Sequence, residues 1–189
     1  MSNTYYNENA ESFIENTLHV DMSEQYQLFE KYLPEKGYIL DIGFGSGRDS
    51  LYFSNKYEVV SIDNSEAFVQ KAKDILQNTV LLMDVNELNF NNQFDGIWAC
   101  ASLLHIPYKE LPNVLSRCYQ ALKDEGMMYL SFKWGTFEEE RNGRYFTDLN
   151  EEKLETLIST TLFKIKDVCI SIDVRPDREE QWLNIVLSK

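Results

Sequence analysis

Histidine and cysteine are scarce in this chain, which leaves little material for a metal site. Its 189 residues include two histidines, His19 and His105, and three cysteines, Cys100, Cys118 and Cys169. The cysteines lie far apart, with no C-x-x-C pair and no zinc-ligand spacing. An odd number of thiols in apolar contexts fits reduced core cysteines in a cytoplasmic protein. Long apolar runs are also missing, and none approaches the ~20 residues of a membrane span. The opening Met1-Ser2-Asn3-Thr4 leads into polar sequence, so no secretory leader is expected. Positive charge is in deficit: 18 Lys and Arg stand against 31 Asp and Glu, a net charge of −13. Nucleic-acid binding draws on phosphate neutralisation by basic side chains, and no basic run is present. The charge balance therefore favours a small molecule, or a basic partner, over a nucleic acid, and no membrane contact is expected.

Apolar residues make up 43% of the chain and aromatics 13%, enough for the core of one α/β domain. The most informative stretch is Tyr38-Ile39-Leu40-Asp41-Ile42-Gly43-Phe44-Gly45-Ser46-Gly47-Arg48. An apolar run of this kind reads as a buried parallel strand. Three glycines spaced two apart follow it, just before a helical segment from Asp49. Glycine lets backbone N–H groups approach a ligand closely and tolerates positive φ. A dinucleotide fingerprint would need a third glycine at position 48, where Arg48 stands. The pattern is instead Asp41-x-Gly43-x-Gly45-x-Gly47.

Further strands support a ligand at this turn. Residues 57–63 form a short β-rich run ending in Asp63, which lies 20 residues after Gly43. An acid at the end of a second strand sits beside the glycine turn and can accept both hydroxyls of a ribose. Asn64 and Ser65 follow as candidate helix caps. Thr79–Val85 reads as a third strand carrying Met83, Asp84 and Val85 at its end. Phe94–Pro107 reads as the fourth strand and its top loop and Met127–Lys133 as the fifth, separated by a helix with Leu111, Val114, Leu115, Cys118 and Leu122 on one stripe. Residues 134–146 read as a polar loop with an Asn142-Gly143 turn, and Asp148 with Glu151 as a capping box before another helix. Two last strands, 163–174 and 182–187, close the sheet. Before all of these, residues 1–36 read as two helices, which either cover a sheet edge or place Tyr5, Tyr6 and Phe13 as a lid over the ligand.

The Asp-x-Gly-x-Gly-x-Gly motif, the two strands ending in acids, Leu103-Leu104-His105 after the fourth strand and Ala121-Leu122-Lys123 with Gly126 before the fifth resemble class I S-adenosylmethionine-dependent methyltransferases. Gly45–Ser50, Gly96–His105, Ser131–Lys133, Gly143–Thr147 and Trp182–Asn184 resemble, more narrowly, the small bacterial tellurite-resistance-type group. One departure is Phe44, where many members carry a small residue. The resemblance implies a Rossmann-like α/β fold with a mostly parallel seven-stranded sheet and a closing antiparallel hairpin. It places a helical cap at residues 1–36 and the Rossmann-like core at residues 37–189 of a single domain.

It also implies S-adenosylmethionine as cofactor, held by Asp41, Gly43, Phe44, Gly45, Gly47, Asp63, Asn64, Met83, Asp84, Val85 and Ala99. Asp84 would meet the adenine amino group, with Met83 or Val85 on the ring face. Methyl transfer needs mainly alignment and desolvation, with a base only where the acceptor has a proton to lose. His105 is the candidate base, and Tyr6, Trp134, Arg144 and Arg175 are the candidate acceptor contacts. Arginines on the ligand face would suit an anionic acceptor, because a guanidinium pairs a carboxylate in a fork. A macromolecular methyltransferase and a non-catalytic S-adenosylmethionine-binding protein are the competing readings.

Overall fold

The computed structural model describes residues 2–175 and 178–189. Three short helices come first: α1 (Ser2–Glu8), α2 (Ala10–Thr17) and α3 (Ser23–Glu30). The first of the two expected helices is split, because Asn9 leaves helical geometry at φ −117° and ψ 17°. The core then alternates strand and helix: β1 (Tyr38–Ile42), α4 (Arg48–Phe53), β2 (Glu58–Asp63), α5 (Glu66–Ile75), β3 (Thr79–Leu82), β4 (Phe94–Ala99), α6 (Leu111–Ala121) and β5 (Leu122–Lys133). A hairpin, β6 (Glu138–Arg141) and β7 (Arg144–Thr147), precedes α7 (Glu151–Ser159), β8 (Lys164–Ile172) and β9 (Gln181–Ser188).

The main sheet has seven strands in the order β3-β2-β1-β4-β5-β9-β8. β9 is antiparallel to both its neighbours, so β8 runs in the same direction as β1–β5. The carboxyl ends of six strands thus share one edge, and the turn after β8 reaches that edge too. One face of the sheet packs on α6 and α7 through Leu111, Val114, Leu115, Leu154 and Leu157. The other face packs on α3 and α4, where Phe29 and Phe53 meet Trp98 and Tyr129, whose rings stack at 3.9 Å. Each large side chain so buried contributes about 1.5–3 kcal/mol.

Several local expectations are corrected. The 134–146 segment is largely the β6–β7 hairpin, not a loop. Asn142 and Gly143 sit at φ 52° and 73°, the backbone of a tight hairpin turn. β3 stops at Leu82, and Asp84 caps a short 3-10 turn by accepting from Asn86 N at 2.8 Å. Asn150, rather than Asp148, caps α7, accepting from Lys153 N at 3.0 Å. β5 begins earlier than expected, at Leu122, in place of the last turn of α6. Cys118 is a core thiol, but Cys169 is exposed on the edge strand. Among the described residues no helix is long and apolar enough to cross a membrane.

Candidate active site

A cavity of about 1150 Å³ opens at the carboxyl edge of the sheet. Its floor is the glycine turn. Gly43, Gly45 and Gly47 all have positive φ, at 73°, 52° and 81°. A side chain at Gly43 would also place its Cβ 2.5 Å from the Cβ of Ser102, so the turn after β1 and the loop after β4 touch only because Gly43 is bare.

Asp63 closes one side of the turn. One carboxylate oxygen accepts from Gly45 N at 3.1 Å, and the other from Ser65 N at 2.9 Å. Each oxygen keeps a lone pair for a ligand. Burial pushes this carboxyl up to about 6, against the pull of those backbone donors. Asn64 and Asp84 meet at 3.3 Å, and with Met83 and Val85 they line the cavity beyond Asp63.

The opposite wall is a hydrogen-bonded chain. His105 Nδ1 lies 2.6 Å from the carbonyl oxygen of Tyr145, so this nitrogen carries the proton. Nε2 is then the acceptor, and the Tyr6 hydroxyl donates to it at 2.7 Å. Burial pushes His105 down to about 4, with Arg144 adding to the effect, so the ring is neutral at physiological pH. Arg144 Nη1 lies 3.4 Å from the Tyr6 hydroxyl, and its guanidinium lies 4.5 Å from the Tyr5 ring centre. Burial raises the Tyr6 phenol, partly offset by Arg144. Tyr6 reaches this wall from α1, while Arg144 and Tyr145 come from β7.

Helices α1 and α2 lie across the edge. The Asn7 side-chain oxygen accepts from Ser65 Oγ at 2.6 Å and from Ala67 N at 3.3 Å. Phe13 stands directly over Gly45, whose hypothetical Cβ would lie 3.0 Å from its ring. Phe13, Phe68 and Tyr6 form an aromatic cluster with ring centres 5.4–5.8 Å apart.

The structure brings most of the sequence-predicted residues to this cavity. Gly43, Phe44, Gly45, Asp63, Asn64, Met83, Asp84, Val85, His105, Tyr6, Arg144 and Arg175 all line it. Four do not. Asp41 is buried beneath the turn and accepts from Ser50 Oγ at 2.6 Å. Gly47 faces Leu76, and Ala99 is wholly buried in the sheet. Trp134 projects outward, 43% exposed, with its indole N–H on Glu151 at 3.0 Å. Arg175 lines the cavity but is forked onto Asp173, whose other donor is the Trp182 indole N–H at 3.1 Å.

Sequence reasoning passed over Asp49, Tyr26 and Ser102. Asp49 is 7% exposed and accepts from Arg48 Nε at 2.6 Å, Arg48 Nη2 at 2.9 Å, the Tyr26 hydroxyl at 2.6 Å and Trp98 Nε1 at 2.8 Å. Burial alone would raise this carboxyl, but Arg48 and the other donors hold it below the usual range. Ser102 Oγ is buried on the cavity wall with no hydrogen-bond partner. Its place in the loop after the fourth strand was the only signal for it.

Residues 39–126 match the family described as Methyltransferase domain. Over those residues, and in its strand order and glycine turn, the chain is similar to S-adenosylmethionine-dependent methyltransferases. It is 30% identical over 118 residues to a putative methyltransferase YqeM of Bacillus subtilis, a match covering 58% of this chain and 48% of that protein. It is 32% identical over 83 residues to a probable S-adenosyl-L-methionine-dependent methyltransferase TehB of Haemophilus influenzae, covering 41% of this chain and 29% of that one. The chain spans about half the length, or less, of the curated relatives it matches. Among solved structures, the Burkholderia thailandensis 1,6-didemethyltoxoflavin-N1-methyltransferase, with bound 1,6-didemethyltoxoflavin and S-adenosylhomocysteine, superposes with a TM-score of 0.81 at 20% identity. That alignment covers 98% of this chain and 84% of the other, and it shows a shared fold.

A cofactor of this family asks for an acceptor pair for a ribose and unpaired polar groups at the glycine turn. The free lone pairs of Asp63 and the unpartnered Ser102 hydroxyl meet those requirements. Replacing Asp63 by Ala should weaken S-adenosylhomocysteine binding by about 1–3 kcal/mol in calorimetry, through loss of a buried acceptor. The pH dependence has a definite sign. Asp63 accepts best as a carboxylate, so wild-type affinity should be level at neutral pH and fall as pH drops through about 6. In Asp63→Ala that fall should disappear.

Proposed function

We propose that the chain transfers the methyl group of S-adenosylmethionine to a small molecule bearing an anionic group. The observation that supports this most is one cavity joining the glycine turn and its two acids to the wall of Tyr6, His105 and Arg144. Its volume of about 1150 Å³ exceeds what one drug-sized ligand fills and leaves room for two. Asp63, Asn64, Met83, Asp84 and Val85 would hold the adenosine part, with Gly43, Phe44 and Gly45 beneath it. When bound, this cofactor supplies a methyl group already activated on a sulfonium sulfur.

The work left to the chain is alignment, exclusion of water and removal of a proton. α1 and α2 act as the lid, held down by Asn7 on the start of α5 and by Phe13 on Gly45. The acceptor's proton passes to the Tyr6 oxygen as the Tyr6 proton moves to His105 Nε2. The imidazolium that forms keeps its Nδ1–H on Tyr145 O. Arg144 holds the anionic group of the acceptor. Its Nε is buried without a partner, and none of the ion pairs among the described residues includes it. Arg175 is a weaker candidate, since Asp173 already neutralises it.

Incubating the protein with methyl-labelled S-adenosylmethionine and a bacterial extract, then separating by size, tests this reading. Label should accumulate in the small-molecule fraction and bind to an anion exchanger. Label confined to protein or RNA would contradict the small-molecule acceptor. Tight cofactor binding with no transfer to any fraction would point to a cofactor-binding protein without catalysis.

A further inference from the structure

The end of β5 and the β6–β7 hairpin bring positive charge to the wall of Tyr6 and His105, and the acids nearby balance only part of it. Among the described residues Arg48, Lys133, Arg144, Arg175 and Arg178 are the Lys and Arg side chains that line the cavity. Arg48 and Arg175 are forked onto Asp49 and Asp173. Arg178 is exposed to solvent.

Lys133 and Arg144 differ from these. Both stand over the ring of Phe146, with Lys133 Nζ 5.5 Å and the Arg144 guanidinium 5.1 Å from its centre. Arg144 enters none of the ion pairs among the described residues, and its Nε is buried without a hydrogen-bond partner. Lys133 meets one acid, Glu180 at 3.1 Å, whose side chain is 42% exposed. A pair so open to water contributes little. Arg141 is a third cation at this ring, but Asp148 and Glu139 already pair it.

Two like charges held at one ring repel, and the negative face of the ring offsets only part of that. A ligand with one negative charge would leave one of the two cations unmatched. A ligand with two matches both, and it takes Lys133 from Glu180 as it enters. Arg144 Nη1 also lies 3.4 Å from the Tyr6 hydroxyl, so such a ligand sits beside the path to His105.

We propose that the methyl acceptor is a dianion, a phosphomonoester or a dicarboxylate, held jointly by Arg144 and Lys133. This inference rests on the methyl-transfer reading above and narrows its acceptor from an anionic molecule to a doubly charged one. It makes Lys133 a specificity-determining residue, because an ammonium meets a phosphate or carboxylate oxygen as a point charge.

The labelled product of the extract reaction is the probe. The methyl group goes to the proton-bearing group, so both negative charges survive in the product. At mildly alkaline pH it should elute from an anion exchanger with dianionic standards such as glycerol phosphate and succinate. Alkaline phosphatase then shifts a phosphomonoester and leaves a dicarboxylate in place, and either result fits. Lys133→Met should raise the apparent KM for the partly purified acceptor by about tenfold, change kcat by less than about twofold and leave S-adenosylhomocysteine affinity at the wild-type level. Lys133→Arg should recover most of the loss. Elution with monoanions, or an unchanged KM in Lys133→Met, would overturn the dianion and leave the methyl-transfer reading standing. If no label reaches the small-molecule fraction, that reading falls and the dianion with it.

Discussion

Tyr6→Phe should slow methyl transfer by roughly 10²–10⁴-fold, the usual range for losing a general acid–base group, while leaving cofactor affinity close to wild type. The substitution removes one oxygen and little else. The ring stays packed against Phe13 and Phe68, with centres at 5.4 and 5.8 Å. The missing hydroxyl breaks the chain from Arg144 through Tyr6 to His105 Nε2. His105 then loses its route to the acceptor, although its Nδ1–H still rests on Tyr145 O. The rate of label entering the small-molecule fraction, measured beside S-adenosylhomocysteine binding, checks the prediction. A fall in affinity matching the fall in rate would mean that Tyr6 serves only to hold the lid.

Asp49→Asn should lower stability by about 3–5 kcal/mol, because it leaves the Arg48 guanidinium in a buried position without its counter-charge. In a chain of this size that corresponds to a fall in Tm of about 6–20 °C. Asp49 ties three elements together. It receives Arg48 from its own helix, Tyr26 from α3 and Trp98 from β4. Tyr26 in turn stacks on Tyr52 at 3.8 Å, so the loss spreads through the α3–α4 contact. Differential scanning calorimetry measures the shift. A change of a degree or two would show that water already screens the pair. Surface pairs such as Lys71–Glu11 make a useful contrast, since solvent screening leaves them little to contribute.

The fold was readable wherever a strand is buried on both faces. Tyr38–Ile42, Glu58–Asp63 and Phe94–Ala99 carry the adjacent apolar pairs Ile39-Leu40, Val59-Val60 and Ile97-Trp98, and each became a central parallel strand. The β6–β7 hairpin was not readable as strands, because Glu138-Glu139-Glu140-Arg141 carries no apolar alternation. Its Asn142-Gly143 turn was the surviving trace. The end of β5 was legible but its start was not, since Asp124 and Glu125 look like a helix terminus. Glu125 adopts φ 66° there, within the strand.

The site divides in the same way. Residues at strand ends are fixed by topology, so Asp63, Asp84 and the glycine turn could be placed from spacing alone. Residues that depend on how separate elements close over one another could not. Tyr6 and His105 are 99 residues apart, and nothing local couples them. Asp49 looked like an ordinary acid in the first turn of a helix, which hid its four donors. Trp134 follows the last residue of β5, one step along from Lys133 of the cavity wall, and the pleat alternation that puts Lys133 inside turns Trp134 outward.

A calorimetric titration of the wild-type protein with S-adenosylhomocysteine and with NAD tests the central claim most directly. Micromolar binding of S-adenosylhomocysteine with no heat from NAD is the predicted result. NAD bound as tightly as S-adenosylhomocysteine, or silence with both, would mean that the turn at Gly43, Gly45 and Gly47 does not hold a methyltransferase cofactor.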